Sequence, residues 1–196
     1  MRGEASAPGA VTIVNAIATL KGSALAVDLR TRATVELEKG ASAVGGSTDV
    51  DVDTTLIENC VENTLDRLGV EAGGTIRTET DIPPESGLKS SSAAANATVL
   101  ATLDALDAED ALEPIEATLV GVESARETGV TITGALDDAV ASMLGGVVLT
   151  DNSKDELLRC EELDANVAVY VPEERAASAD TDVERSKLVA PVVERA

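Results

Sequence analysis

The segment PPESGLKSSSAAANA, residues 83–97, fixes more of the local chain path than any other stretch. Pro83 and Pro84 forbid a helix at its start, Gly87 frees the backbone, and Ala93, Ala94 and Ala95 are among the strongest helix formers. Such a run reads as a strand exit, a glycine turn and a helix opened by Ser90, Ser91 and Ser92. A helix start carries unpaired N–H groups and roughly half a positive charge, so this junction is a candidate anion seat. Lys89 adds a cation to it.

An anion seat is unexpected here, because 36 acidic residues face 15 basic ones and the formal net charge is −21. The acids are spread along the chain, as on a solvated surface, and 44% of the residues are hydrophobic, so the chain is not an acidic tail. The apolar residues are mostly Ala, Val and Leu, with no Phe, Trp or His and the single Tyr170. That makes a core light in large side chains. Such a composition suits a salt-rich cytoplasm, where a Debye length of about 3 Å at 1 M screens self-repulsion and salting-out reinforces weak apolar burial. No basic stripe suits a nucleic acid or an anionic membrane, and no apolar run reaches membrane-spanning length. A cytoplasmic protein is expected. Cys60 and Cys160 are isolated and read as reduced core thiols.

The remaining pattern reads as α+β. Residues 4–39 suggest consecutive strands with turns at Pro8-Gly9 and Lys21-Gly22-Ser23; residues 40–53 suggest a surface loop. Leu56, Ile57, Cys60, Val61, Leu65 and Leu68 recur at helical spacing, and Gly69 ends that helix. A strand follows up to Pro83, then the serine-opened helix to about Leu106. A helix from Pro114 places Ile115, Leu119 and Val122 on one face. VTITG reads as extended, ALDDAVASML as a helix, GGVVLTD and ANVAVYVPEE as strands, and the segment from Asp180 as helical.

Two further stretches carry candidate chemistry. Asp137 and Asp138 follow Gly134 among small apolar residues, where a carboxylate can accept a proton from a hydroxyl or simply cap a helix. Asn15 stands alone in the apolar run before Lys21, as a site residue or an incidental hairpin polar group.

Together the three stretches resemble the GHMP kinases. The family's phosphate motif, P-x-x-x-G-L-G-S-S-A-A, is matched by Pro83-x-x-x-Gly87-Leu88-Lys89-Ser90-Ser91-Ser92-Ala93, with Lys89 at the middle glycine and Ser92 at the first alanine. Ala7-Pro8-Gly9 matches the N-terminal signature, and Gly134 with Asp137 and Asp138 resembles the G-x-D-N segment. The strings SGLKSSSAAANA and TGVTITGALDDA are most similar to the archaeal-type shikimate kinases within that family.

The resemblance implies a two-domain GHMP kinase fold and transfer of the ATP γ-phosphate to the 3-hydroxyl of shikimate, in aromatic amino acid biosynthesis. Homoserine and mevalonate kinases, or an inactive nucleotide-binding fragment, are the alternatives. ATP and Mg²⁺ are implied cofactors. The phosphate-binding residues carried over are Pro84, Glu85, Ser86, Gly87, Leu88, Lys89, Ser90, Ser91, Ser92, Ala93 and Ala94, with Ser91 toward the metal. Asp137 is the expected base and Asp138 its alternative; Lys21, Arg30 and Arg32 are open candidates for the shikimate carboxylate. The family's third, glycine-rich motif has no counterpart before Ala196. The expectation is a complete N-terminal domain, residues 1–148, and a partial ferredoxin-like C-terminal domain, residues 149–196.

Overall fold

The structure is a computed structural model that describes residues 1–83, 86–131, 133–170 and 182–195. It begins with two long antiparallel strands, β1 (Arg2–Val14) and β2 (Lys21–Lys39). The turn between them lies at residues 15–20, so neither expected turn is one. Pro8 and Gly9 fall inside β1 at a register shift between Pro8 and Ala10. Proline, lacking an N–H, is accommodated there because β1 pairs only with β2. Lys21 opens β2 instead of closing the turn.

The expected loop at 40–53 holds a strand, β3 (Val44–Thr48), running parallel to β4 (Ala72–Thr80). Its glycines hide it from a hydrophobic pattern, yet Gly46 is required. A Cβ on Gly46 would fall 2.6 Å from the Thr54 side chain, and the Gly46 N–H donates to Glu58 Oε1 at 2.8 Å. The sheet is completed by β5 (Val147–Asp151), antiparallel to β2, and β6 (Glu156–Glu161), antiparallel to β5. Its order is β3-β4-β2-β5-β6, with β1 also on β2.

The helices are α1 (Thr55–Leu68), α2 (Ser90–Ala105), α3 (Pro114–Glu127) and α4 (Leu136–Leu144). Gly69 ends α1 in the left-handed conformation (φ 66°), where it pays no Cβ penalty. The α1 face is as the spacing predicts, with Leu56, Ile57, Cys60, Val61 and Leu65 buried. In α3 the deepest line runs through Ala117, Val120, Gly121 and Ser124; Val122 is buried, whereas Ile115 and Leu119 are only partly so. Here small residues decide the packing: a Cβ on Gly121 would lie 3.2 Å from Ala95, so α2 and α3 sit close together.

The core is of the light kind that the composition implies. Val35, Val61, Ile76 and Ala97 share one cluster between sheet and helices, and Ala10, Val122, Leu136 and Val148 share another around α4. Cys60 is buried, which pushes its thiol up to about 12, but Cys160 is exposed on β6 and is no core thiol. Residues 165–170 form no strand, contrary to the reading of ANVAVYVPEE, whose remaining four residues lie outside the described residues. Among the described residues toward the C-terminus, only short helices form, α5 (Val183–Lys187) and α6 (Ala190–Val193).

Candidate active site

Two helix starts face one cavity of about 430 Å³. One is the start of α2, reached through the segment after β4. Gly87 (φ 74°) and Lys89 (φ 60°) both adopt the left-handed conformation that turns the chain into the helix. For lysine this costs about 1–2 kcal/mol relative to the ordinary helical region, and Lys89 stands where the phosphate motif has glycine. Gly9 lets β1 close on the loop: a Cβ there would lie 2.6 Å from the Leu88 carbonyl oxygen, which accepts the Ala10 N–H at 3.1 Å.

The first turn of α2 contains no acidic residue. The hydroxyls of Ser90, Ser91 and Ser92 make no hydrogen bond among the described residues, and all three residues line the cavity. Ser86, Gly87 and Lys89 line it too. Leu88 and Ala93 instead enter a buried cluster with Ile82, and Ala94 packs against the main core, so these three carry the loop and do not line the cavity. Pro84 and Glu85 lie outside the described residues.

The second helix start is that of α4. Gly134 (φ 83°) and Ala135 (φ 49°) turn the chain into it, and its first turn holds Asp137 and Asp138. Glycine suits the positive φ at Gly134, and a side chain there would also displace the Arg126 guanidinium, 2.4 Å from its Cβ position. The helix dipole favours both carboxylates. They are buried, 3% and 8% exposed, and both line the cavity.

Their partners differ. Asp138 Oδ2 lies 3.1 Å from Lys89 Nζ, an ion pair that ties the two helix starts together. Asp137 Oδ1 accepts from the Asn152 amide at 2.9 Å. Burial pushes the Asp138 carboxyl up to about 7; the neighbouring Asp137 charge adds to this, and Lys89 opposes it. Its Oδ1 has no hydrogen-bond partner among the described residues.

Lys89 is the only Lys or Arg lining the cavity among the described residues. None of Lys21, Arg30 and Arg32 lines it; Arg30 is engaged with Ser6, whose hydroxyl and carbonyl it meets at 3.1 and 3.0 Å. Asn15 does line it, together with Thr12 and Thr133. Asn152 had no signal in the sequence beyond its place after an apolar strand ending Thr-Asp.

The arrangement suits a polyanion at α2 and a hydroxyl at α4. Among the described residues no cluster of three His, Cys, Asp or Glu side chains forms a ready-made metal cage. The unpartnered Ser91 hydroxyl fits a cation that arrives with the oxygens of its ligand. No helix among the described residues is long and apolar enough to cross a membrane.

The family model described as GHMP kinases N terminal domain matches residues 55–146. The shikimate kinase of Methanosarcina acetivorans is 56% identical over 196 residues, covering 99% of this chain and 66% of that protein. The shikimate kinase of Halobacterium salinarum is 50% identical, covering 99% of this chain and 69% of that one. This chain thus spans about two thirds of the length of the curated relatives it matches. Among solved structures, homoserine kinase from Cytophaga hutchinsonii superposes with a TM-score of 0.66 at 22% identity, over 83% of this chain and 51% of that one. Methanococcus jannaschii mevalonate kinase gives 0.64 at 14% identity, over 100% and 73%.

Proposed function

The chain belongs to the GHMP kinases and, among them, to the family of the archaeal shikimate kinases, and from that premise we propose that it carries the phosphate-binding and proton-accepting part of a shikimate kinase. The reaction is transfer of the γ-phosphate of ATP to the 3-hydroxyl of shikimate. The observation that carries this reading is the single cavity joining Lys89 and the acid-free start of α2 to the Asp137–Asp138 pair.

Phosphoryl transfer requires positioning and charge neutralisation more than covalent help. Lys89 and the first-turn N–H groups of α2 bind the phosphates. The Ser91 hydroxyl would hold Mg²⁺, which would supply neutralisation of phosphate charge. Asp137 orients the acceptor hydroxyl and takes its proton. Asn152 holds Asp137 through a neutral donor and leaves its negative charge available. Asp138, with its Oδ2 3.1 Å from Lys89 Nζ, has the task of placing Lys89 at the phosphates. The same acid-rich surface suits a salt-rich cytoplasm, as the composition implies.

The test is ADP release by the protein carrying this chain, with Mg²⁺ and ATP and with shikimate, homoserine or mevalonate as acceptor. Shikimate-dependent turnover is expected. Turnover with homoserine or mevalonate and none with shikimate overturns the acceptor assignment. Nucleotide binding with no turnover on any acceptor replaces the kinase reading with that of a nucleotide-binding protein.

A further inference from the structure

We propose that Asn152, oriented by Thr150, is a positioning residue that fixes the Asp137 carboxylate, and that the bare backbone of Gly22 forms the opposite wall of its seat. The inference rests on the role given to Asp137 above. Asn152 is 5% exposed and its side chain is fully engaged. Its Oδ1 accepts from the Thr150 hydroxyl at 2.6 Å, so its amide nitrogen is the atom turned to Asp137 Oδ1, 2.9 Å away. A flipped amide would set an oxygen against the Asp137 carboxylate and lose that bond. Asn152 is itself pinned, because its backbone N–H donates to the Leu20 carbonyl at 2.7 Å. Leu20 adopts φ 61° immediately before β2, a conformation that a non-glycine residue holds only under such constraint.

Across the carboxylate lies Gly22, paired with Thr150 between β2 and β5. A Cβ there would fall 2.4 Å from both Cγ and Oδ2 of Asp137, so only glycine leaves room for the side chain. Three elements therefore converge on one carboxylate: the start of β2, the end of β5 and the start of α4. The donor is neutral, so orientation is gained without cancelling the charge that receives the proton. That is the difference from Asp138, whose partner is a cation.

The experiment measures kcat and the KM for ATP for N152A, T150V, T150S and D137N in the shikimate assay. N152A is expected to lower kcat by about 10- to 100-fold, the scale of a misplaced reacting group, with the KM for ATP unchanged. T150V, close in shape to threonine, loses part of kcat and T150S restores most of it. Wild-type kcat in N152A and T150V beside an inactive D137N overturns the proposal and leaves the role of Asp137 standing. A fall in kcat matched by equal losses of ATP affinity and thermal stability marks a purely structural role and also overturns it. Full activity in D137N removes the reading on which the proposal rests.

Discussion

The two helix starts that face the cavity are built alike and used in opposite ways. Each is entered through a glycine and then a non-glycine residue at positive φ, Gly87 with Lys89 and Gly134 with Ala135, and neither has a side-chain cap. At α4 the helix supplies its own anions, since Asp137 and Asp138 sit in its first turn. At α2 the first turn holds only serines, so its positive end is left for an external anion. The same kind of N-terminal dipole favours carboxylates of the helix itself at α4 and is left free to favour an anion from outside at α2. This resolves the apparent conflict of an anion seat in a chain of net charge −21, because the seat depends on what lies within one turn of a helix and not on the sum over the surface.

The contrast can be broken first at its catalytic end. D137N is expected to reduce kcat by about 10²–10⁴-fold, the range for loss of a general base, with nucleotide binding retained; isothermal titration beside the kinetic assay separates the two. Making the helix starts alike is the next largest change. S91D places an acid in the first turn of α2 and is expected to weaken nucleotide binding by about tenfold or more through like-charge repulsion, with little change in melting temperature.

Asp138 gives a smaller and pH-dependent effect. Its carboxyl is raised from 3.8 to about 7, chiefly by burial, so the folded chain holds a proton that the unfolded chain releases. Stability from this group is complete below about pH 4 and is lost as pH rises to about 7. D138N should therefore melt above wild type at pH 8, by roughly 5 °C, and the difference should close as pH falls toward 4. A constant difference across that range would contradict the assignment. The smallest expected effect is the screening one. Melting temperature should rise by several degrees between low and molar KCl, and equal stability in both would remove the salt argument.

How much of this was legible in the sequence follows from the kind of force involved. The face of α1 was legible because Leu56, Ile57, Cys60, Val61 and Leu65 repeat with the helical period and Gly69 stops the run. The loop into α2 was legible because proline, glycine and serine act locally, within a turn of the chain. β3 was not, since Val44–Thr48 owes its strand to the neighbour β4 and its Gly46 to the approach of Thr54 and Glu58. Nor was the edge strand β6, whose Glu156–Glu161 has little buried face to leave a pattern. At the site, Lys89 and Asp138 could be named separately, 49 positions apart in the chain, but not their pairing at 3.1 Å. Asn152 was missed because its importance lies in what it touches, and a lone Asn after a strand has many ordinary uses.

The central claim is that the starts of α2 and α4 are two halves of one phosphoryl-transfer site, and amide hydrogen exchange with and without MgADP addresses it directly. The account predicts slowed exchange concentrated in residues 86–93, with a smaller change in residues 133–139, where Lys89 meets Asp138. Protection confined to another part of the chain, with both helix starts unchanged by the nucleotide, would contradict it.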